Sequence, residues 1–456
     1  MDSDFSTGKV WKQILAQALP LTVAEIVLLL YNIVDRIYLG HLSRIDSLAL
    51  TGVGLVFPLI SVIAAFTSLI SSGGAPLFAI ARGARDEERA SRLQGASFTL
   101  LLSFSLGLTL ACYAFRKPVL FLFGASEASY ACADSYLRIY LIGTPMTMLA
   151  TGMSPFINAQ GAPRYAMLAT LLGAAVNIVL DPLMIFALGM GVRGAALASV
   201  IGQTAALAVA LPFFLGKRAL LPLRRDHLRP TARLFGEIVS LGVVGFIMKA
   251  TNALVQAACN STLQLYGGDL YVAAMTVVNS VRDILCLPVM GITDGARPVM
   301  GYNYGARLPE RVRQGIRFTT AASLGYTFAA WILVLALPTA FVRLFTRDPG
   351  LLAIGPSVLK LYFFGFFFQA FQFAGQSVFQ ALGDARHAVF FSLLRKAVIV
   401  FPLTLLLPRA GLGIRGVFAA EPISNAIGGL ACYITMFLTV YRKLGRQPAR
   451  AKGGAE

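Results

Sequence analysis

A chain of 456 residues that is 57% hydrophobic and only 13% charged, with a mean hydropathy of +0.72, is not a soluble domain, because soluble domains carry about 25% charged residues. Such a chain needs a bilayer as its apolar solvent, and at roughly 20 residues per span its length accommodates about twelve helices. The formal net charge of +18 sits in short loops between apolar runs and forms no continuous basic face, which argues against nucleic acid as a partner.

The first twelve residues are mixed polar. The apolar run at 13–39 is too long for the hydrophobic region of a signal peptide and lacks a clear cleavage site, so it reads as a first transmembrane helix. Further runs follow at 48–80, 93–115, 131–158, 164–188 and 194–216. The segment 217–234 is polar and basic and holds Pro222 and Pro230. A second set of runs covers 235–265, 271–302, 315–340, 355–381, 388–408 and 414–441. The pattern predicts an all-α polytopic membrane protein, with twelve transmembrane helices in two pseudo-symmetric six-helix lobes. Its parts are a cytoplasmic N-terminus (1–12), an N-lobe (13–216), a cytoplasmic linker (217–234), a C-lobe (235–441) and a cytoplasmic tail (442–456). The orientation rests on charge. Loops on the side of the N-terminus carry 23 Lys and Arg against 8 on the other, which places both termini and the linker inside a cell inner (plasma) membrane.

Cys112, Cys132, Cys259, Cys286 and Cys432 are scattered and mostly lie in apolar runs, with no CxxC, so they read as small buried side chains. His41, His227 and His387 fall in expected loops or helix ends and form no HExxH motif. No nucleophile–base or metal-hydrolase spacing appears, so an enzyme is not expected and no cofactor is implied.

The two sets of runs are a repeat. Shifted by 222 residues, 158–203 lies on 380–425 without a gap, and 15 of the 46 positions are identical. Gly161/Gly383, Gly189/Gly411, Gly191/Gly413 and Arg193/Arg415 are among them. The same shift pairs Gly83-Ala84-Arg85 with Gly305-Ala306-Arg307, and Tyr140 with Tyr362. Six helices is an even number, so the halves enter from the same side, and parallel repeats of this kind build transporters with a cavity between lobes.

Charge inside a bilayer costs roughly 2.5–3.5 kcal/mol by insertion scales, so intramembrane carboxylates are the first place to look for function. Glu25 and Asp35 lie in the first run, Asp181 in the fifth, Asp283 and Asp294 in the eighth, and Glu421 in the twelfth. Asn177 and Asp181 are four residues apart, so one helix face offers an amide oxygen and a carboxylate to one point. Pro182 frees a carbonyl in the preceding turn, and hard cations want oxygen ligands. At 1.5 Å per residue, Asp35, Asp181, Ser199 and Tyr136 all fall about 10 Å below the outer boundary. Under the 222 shift Asn177 becomes Ile399 and Asp181 becomes Leu403, so the second half lacks these groups. A structural hydrogen-bond cluster is the competing reading. The roles of Glu25 and Lys249 stay open; a pair of Glu421 with Arg395 or Lys396 is favoured. The phenylalanines between 363 and 373 are expected to be lipid-facing or core, with a minority beside Gln369 and Gln372.

Three stretches carry a family resemblance. They are Pro20 followed by Tyr31-Asn32-Ile33-Val34-Asp35 with Gly40 behind, Asn158-Ala-Gln-Gly161 through Asn177, Asp181-Pro182 and Gly189-x-Gly191-x-x-Gly194, and the repeated Gly-Ala-Arg loops. In this order they resemble the multidrug and toxic compound extrusion (MATE) family over about 10–440, and favour its prokaryotic branch. The resemblance implies two six-helix lobes working by alternating access, without an enzymatic reaction. It implies a cation site of Asp35, Asn177, Asp181 and Ser199, the last where the family often has Thr. Pro20, Tyr136 and Asn32 would support the site, with Pro20 permitting helix 1 to bend. Glu25, Tyr31, Gln203, Gln369 and Gln372 are candidates for the substrate cavity. The coupling ion would be Na⁺ or H⁺, with Na⁺ held at Asp35, Asn177 and Asp181 if sodium is the ion. The partners would be organic cations or amphipathic drugs and membrane lipid, and the protein is expected to be a monomer. A lipid-linked precursor flippase of the same superfamily is the rival reading, although such proteins usually have fourteen helices and several cavity arginines.

Overall fold

The computed structural model describes residues 4–42, 49–123, 125–216 and 218–445. Arg44 and Lys217 of the charge asymmetry, and residues 446–456 of the tail, lie outside the described residues. All regular structure among the described residues is helical. In chain order the helices are α1 (Val10–Leu42), α2 (Ala49–Gly54), α3 (Phe57–Gly83), α4 (Glu87–Leu122), α5 (Glu127–Ala159), α6 (Pro163–Pro182) and α7 (Val192–Leu215). Then come α8 (Ala232–Gly305), α9 (Pro309–Ala336), α10 (Pro338–Arg343), α11 (Pro349–Tyr362), α12 (Phe368–Ala381), α13 (Ala385–Leu393), α14 (Phe401–Leu407), α15 (Ile414–Met436) and α16 (Arg442–Leu444). Nine stretches among the described residues are long and apolar enough to cross a membrane.

Each expected apolar run falls on helix, and the differences have local causes. The runs at 235–265 and 271–302 join in α8, which breaks at Gly268 (φ 68°, ψ −168°), a conformation that suits glycine. The run at 355–381 is split between α11 and α12, with Gly365 at φ 70° in the intervening turn. The run at 388–408 passes through wide π turns at Leu394–Val400 and Pro408–Leu412, where Pro402 and Pro408 each withhold a backbone donor. α4 runs beyond its apolar stretch because Asp86 accepts from the Arg89 amide (2.9 Å) and Glu87 and Glu88 occupy the first turn. His41 lies on the last turn of α1, at a helix end as expected.

Packing forms two compact units, one built on Val23–Phe246 and the other on Phe5–Thr22 with Ile247–Glu456. Each unit thus includes the start of the other repeat's first helix. In the first unit, Gly73 of α3 lies against α8, where a Cβ would stand 1.9 Å from the Ile238 carbonyl oxygen. In the second, Gly295 of α8 lies against α1, where a Cβ would stand 2.6 Å from the Ala18 nitrogen. These two glycines are partners under the 222 shift. Arg89 and Arg311 are partners too: Arg89 bonds Glu237 (3.1 Å), while Arg311 donates to the carbonyls of Phe5, Thr7 and Gly8 (2.9, 2.9 and 2.8 Å).

Each unit has its own apolar core, with Phe78, Phe156, Phe213 and Phe214 in the first and Phe363, Phe366 and Phe418 in the second. Of the aromatic run at 363–373, Phe363 and Phe366 are core while Phe364 is 66% exposed. The repeat extends to the backbone. Positive φ recurs at Gly161 and Gly383 (85° and 77°), Gly189 and Gly411 (63° and 94°), Gly191 and Gly413 (57° and 51°), and Arg85 and Arg307 (63° and 55°). The linker is tied to the first unit: Gln94 donates to the Leu221 carbonyl (3.0 Å) and Thr99 to that of Leu228 (2.6 Å), while the Leu221 amide donates to Gln160 Oε1 (3.2 Å).

Candidate cation site and its cavity

Four helices of the first unit build the site. On α6, Asn177 and Asp181 are both buried and point one way, as their spacing demands. α6 can approach α7 closely because Gly173 and Gly202 face each other: a Cβ on Gly202 would stand 2.7 Å from the Gly173 carbonyl oxygen and 2.9 Å from the Asn177 Cβ. That contact sets Ser199, one turn earlier on α7, where its hydroxyl accepts from Asn177 Nδ2 at 3.4 Å. From α1 comes Asp35, buried and within electrostatic range of Asp181, Tyr31 and Tyr136. Tyr31 of α1 and Tyr136 of α5 flank the Ser199 hydroxyl.

Hydrogen bonding is incomplete at the centre. Asp181 is 0% exposed, yet among the described residues neither of its carboxylate oxygens has a hydrogen-bond donor. Asn177 Oδ1 and Gln203 Oε1 are also buried without a donor. Buried polar atoms are rarely left in this state, and a carboxylate is the most expensive group to leave so. With Asp35 close by, the cluster presents acceptors to one spot: carboxylate, amide and hydroxyl oxygens. Such a set suits a hard cation or a proton.

Beside the cluster lies a cavity whose wall includes Tyr31, Asn177, Ser199 and Gln203. Thr147, Thr151 and Ser154 of α5 line its other side. Sequence reasoning did not single out these three, although their i, i+4, i+7 spacing marks one helix face between Pro145 and Pro155. Among the described residues, the wall carries no basic side chain.

Not every expected residue gathers here. Asn32 is exposed on α1 and donates to the Leu28 carbonyl (2.7 Å). Glu25 and Lys249 are exposed, and Pro20 belongs to the second unit. Gln369 and Gln372 are buried on α12 of the second unit, where Gln372 donates to Gln376 Oε1 (3.1 Å) and Gln369 lies 3.7 Å from Cys286 Sγ. Glu421 pairs with both expected cations, accepting from Lys396 (3.0 and 3.2 Å) and Arg395 (3.1 Å).

Residues 20–183 and 245–406 match the family model described as MatE. The chain is 25% identical over 437 residues to the multidrug export protein MepA of Staphylococcus haemolyticus (strain JCSC1435), covering 95% of this chain and 94% of the relative. It is 24% identical over 437 residues to MepA of Staphylococcus aureus (strain MSSA476), covering 95% of each. A solved structure described as the outward-facing conformation of a multidrug resistance MATE family transporter superposes with a TM-score of 0.91 at 22% identity, over 97% of this chain and 98% of that one.

Proposed function

The chain belongs to the MATE family, whose members are multi-pass membrane transporters and not enzymes, and from that premise we propose that it exports organic cations in exchange for inward-moving Na⁺ or H⁺. One observation carries the reading: the Asp181 carboxylate is completely buried and, among the described residues, has no hydrogen-bond donor. A bare carboxylate there, with Asp35 nearby, is relieved by taking up positive charge. Asp35, Asn177, Asp181 and Ser199 hold the coupling ion, with Tyr31 and Tyr136 beside it. The adjoining cavity, with hydroxyl and amide groups on an otherwise small and apolar wall, receives the substrate.

The mechanism is competition within one lobe. Coupling-ion entry from outside neutralises Asp35 and Asp181. The neutralised cluster no longer holds α1 in its cation-binding shape, and the organic cation leaves. The emptied transporter turns inward, where the ion is released and a new substrate binds. Drug export by the two MepA relatives supports the substrate class. The 23-to-8 loop charge asymmetry supports cytoplasmic termini in a plasma membrane.

The test uses proteoliposomes and tetraphenylphosphonium as the organic cation, with a Na⁺ gradient and a pH gradient imposed separately. One of the two gradients is expected to drive tetraphenylphosphonium movement, and Asp35→Asn to abolish that response while the protein still inserts and purifies normally. Full gradient-driven transport by Asp35→Asn would defeat the mechanism.

A further inference from the structure

We propose that the second unit holds an anion site of its own: the cavity bounded by Arg282, Tyr362, Lys396 and Glu421 binds the carboxylate of an amphiphilic organic anion. The inference goes beyond the cation-export reading, because it adds a ligand of opposite charge in the other unit.

Charge comes first. Three cations, Arg282, Arg395 and Lys396, are gathered here. Glu421 answers two of them at once, taking Lys396 on both oxygens (3.0 and 3.2 Å) and Arg395 on one (3.1 Å). Asp283 touches Arg282 at 3.0 Å, but its side chain is 57% exposed. Counting Glu421 and Asp283 against the three cations leaves one positive charge in excess, carried by Arg282 and Arg395, whose side chains are only 25% and 11% exposed, a state that an anion relieves.

Donors come second. Lys396 commits its described hydrogen bonds to Glu421, and a protonated lysine has a further N–H to give. The Tyr362 hydroxyl accepts from Arg282 (3.1 Å), which leaves its own hydrogen for another acceptor. Arg282 presents a planar fork of donors, of which the described bonds to Asp283 and Tyr362 use only part. The neighbouring side-chain amides bond one another, Asn279 donating to Gln256 (3.0 Å) and Gln256 to Asn260 (3.1 Å), and among the described residues Arg282 and Lys396 donate to no amide oxygen. All of Arg282, Tyr362, Lys396, Gln256 and Asn279 border the cavity. A carboxylate matches a guanidinium fork flanked by O–H and N–H donors.

The rest of the wall sets the ligand's other end. Val255, Met275, Val400 and Val417 line it, so an apolar body is accommodated behind the charged head. Asn252, which is exposed, also lines the cavity and gives a way in. Under the 222 shift the two basic residues of the wall, Arg282 and Lys396, stand where the first repeat has Ile60 and Ala174, so the basic wall is peculiar to the second half.

Isothermal titration of the purified full-length protein tests this with 2-naphthoate, and with its neutral isostere 2-naphthamide as control. Saturable naphthoate binding is expected, at least about tenfold tighter than the amide. Arg282→Gln leaves the Glu421 bridges in place and should weaken naphthoate by about tenfold. Tyr362→Phe, which removes only the hydroxyl, should weaken it about threefold, and decides the matter if Arg282→Gln does not fold. Asp181→Asn should leave naphthoate binding unchanged, so failure of the cation reading leaves this result standing. Equal affinity for acid and amide, no saturation at millimolar naphthoate, or naphthoate affinity unaltered by Tyr362→Phe would each overturn the proposal.

Discussion

The two repeats share a frame and fill it with opposite charge. In the 222-residue register, Tyr140 answers Tyr362, Ser199 answers Glu421, and Gln203 answers Asn425. The first repeat places Gly173 and Ala174 where the second places Arg395 and Lys396, and it places Asn177 and Asp181 where the second has Ile399 and Leu403. The acidic groups consequently live in different states. Among the described residues, Asp181 is buried with no hydrogen bond on either oxygen, whereas Glu421 is buried and saturated by Lys396 and Arg395. An unsaturated buried carboxylate is responsive, because adding or removing a cation changes its energy by a large amount. A saturated one holds its surroundings in place. What separates the proposed coupling acid from Glu421 is therefore neither burial nor charge but the missing partner.

Removing each carboxylate is the sharpest way to break this comparison, and the largest effect is expected from Glu421→Gln. It leaves Lys396 and Arg395 without their counter-charge, which should destabilise the protein by about 3–5 kcal/mol. Adding Lys396→Met should restore part of the loss, since replacing a buried pair by apolar groups is far milder than breaking it. Asp181→Asn should behave in the opposite way. It takes away a charge that had no hydrogen bond, so the thermal midpoint in detergent should stay level or rise, while cation-driven transport disappears. Similar destabilisation by the two substitutions would erase the distinction between a poised and a satisfied acid.

Much of this was readable from the sequence, and the reasons are physical. Long apolar runs announce bilayer spans, and the 222-residue register announced a duplicated frame whose glycine φ values then matched. Asn177, Asp181 and Ser199 could be grouped because helical spacing fixes direction and depth. Helix ends were less legible: α4 continues past its apolar stretch through a capped polar turn, and α8 hides its break at Gly268 inside a continuous helical stretch. The division of packing at 22/23 and 246/247 leaves no mark in composition, since it depends on glycine approaches such as Gly73 to Ile238. Asn32 shows the limit of motif reading, for it sits three residues from Asp35 yet turns back to bond its own helix. Gln369 and Gln372 read as cavity groups because they are polar in an apolar run, but the α12 packing absorbs them.

Those glycine approaches supply a second, intermediate test of the shared frame. A Cβ at position 73 would stand 1.9 Å from a carbonyl oxygen of α8, and one at 295 would stand 2.6 Å from a backbone nitrogen of α1. Backbone on both sides leaves no flexible side chain to yield. Gly73→Ala and Gly295→Ala should each destabilise by about 1–3 kcal/mol, with position 73 the worse of the two. Thermal unfolding in detergent measures this, and a neutral Gly73→Ala would show that the α3–α8 contact has room for a methyl group.

The smallest effect asks whether the frame still works identically at its loops. α3 and the second part of α8 end alike: the Asp86 amide donates to the Ala81 carbonyl and the Leu308 amide to that of Asn303, at 3.0 and 2.9 Å. That pattern closes a helix with a left-handed residue, which is usually glycine. Here both left-handed positions are arginine, Arg85 at φ 63° and Arg307 at φ 55°. The backbone strain costs about 1–2 kcal/mol. It is offset in part by a cation beside the negative end of the helix dipole. Arg85→Gly and Arg307→Gly should each stabilise by about 0.5 kcal/mol, after the extra unfolded-state entropy of glycine is subtracted. Equal shifts in unfolding midpoint would show that the loops have kept one mechanics while the cavities diverged. A gain at one arginine and a loss at the other would mean that divergence reached the loops as well.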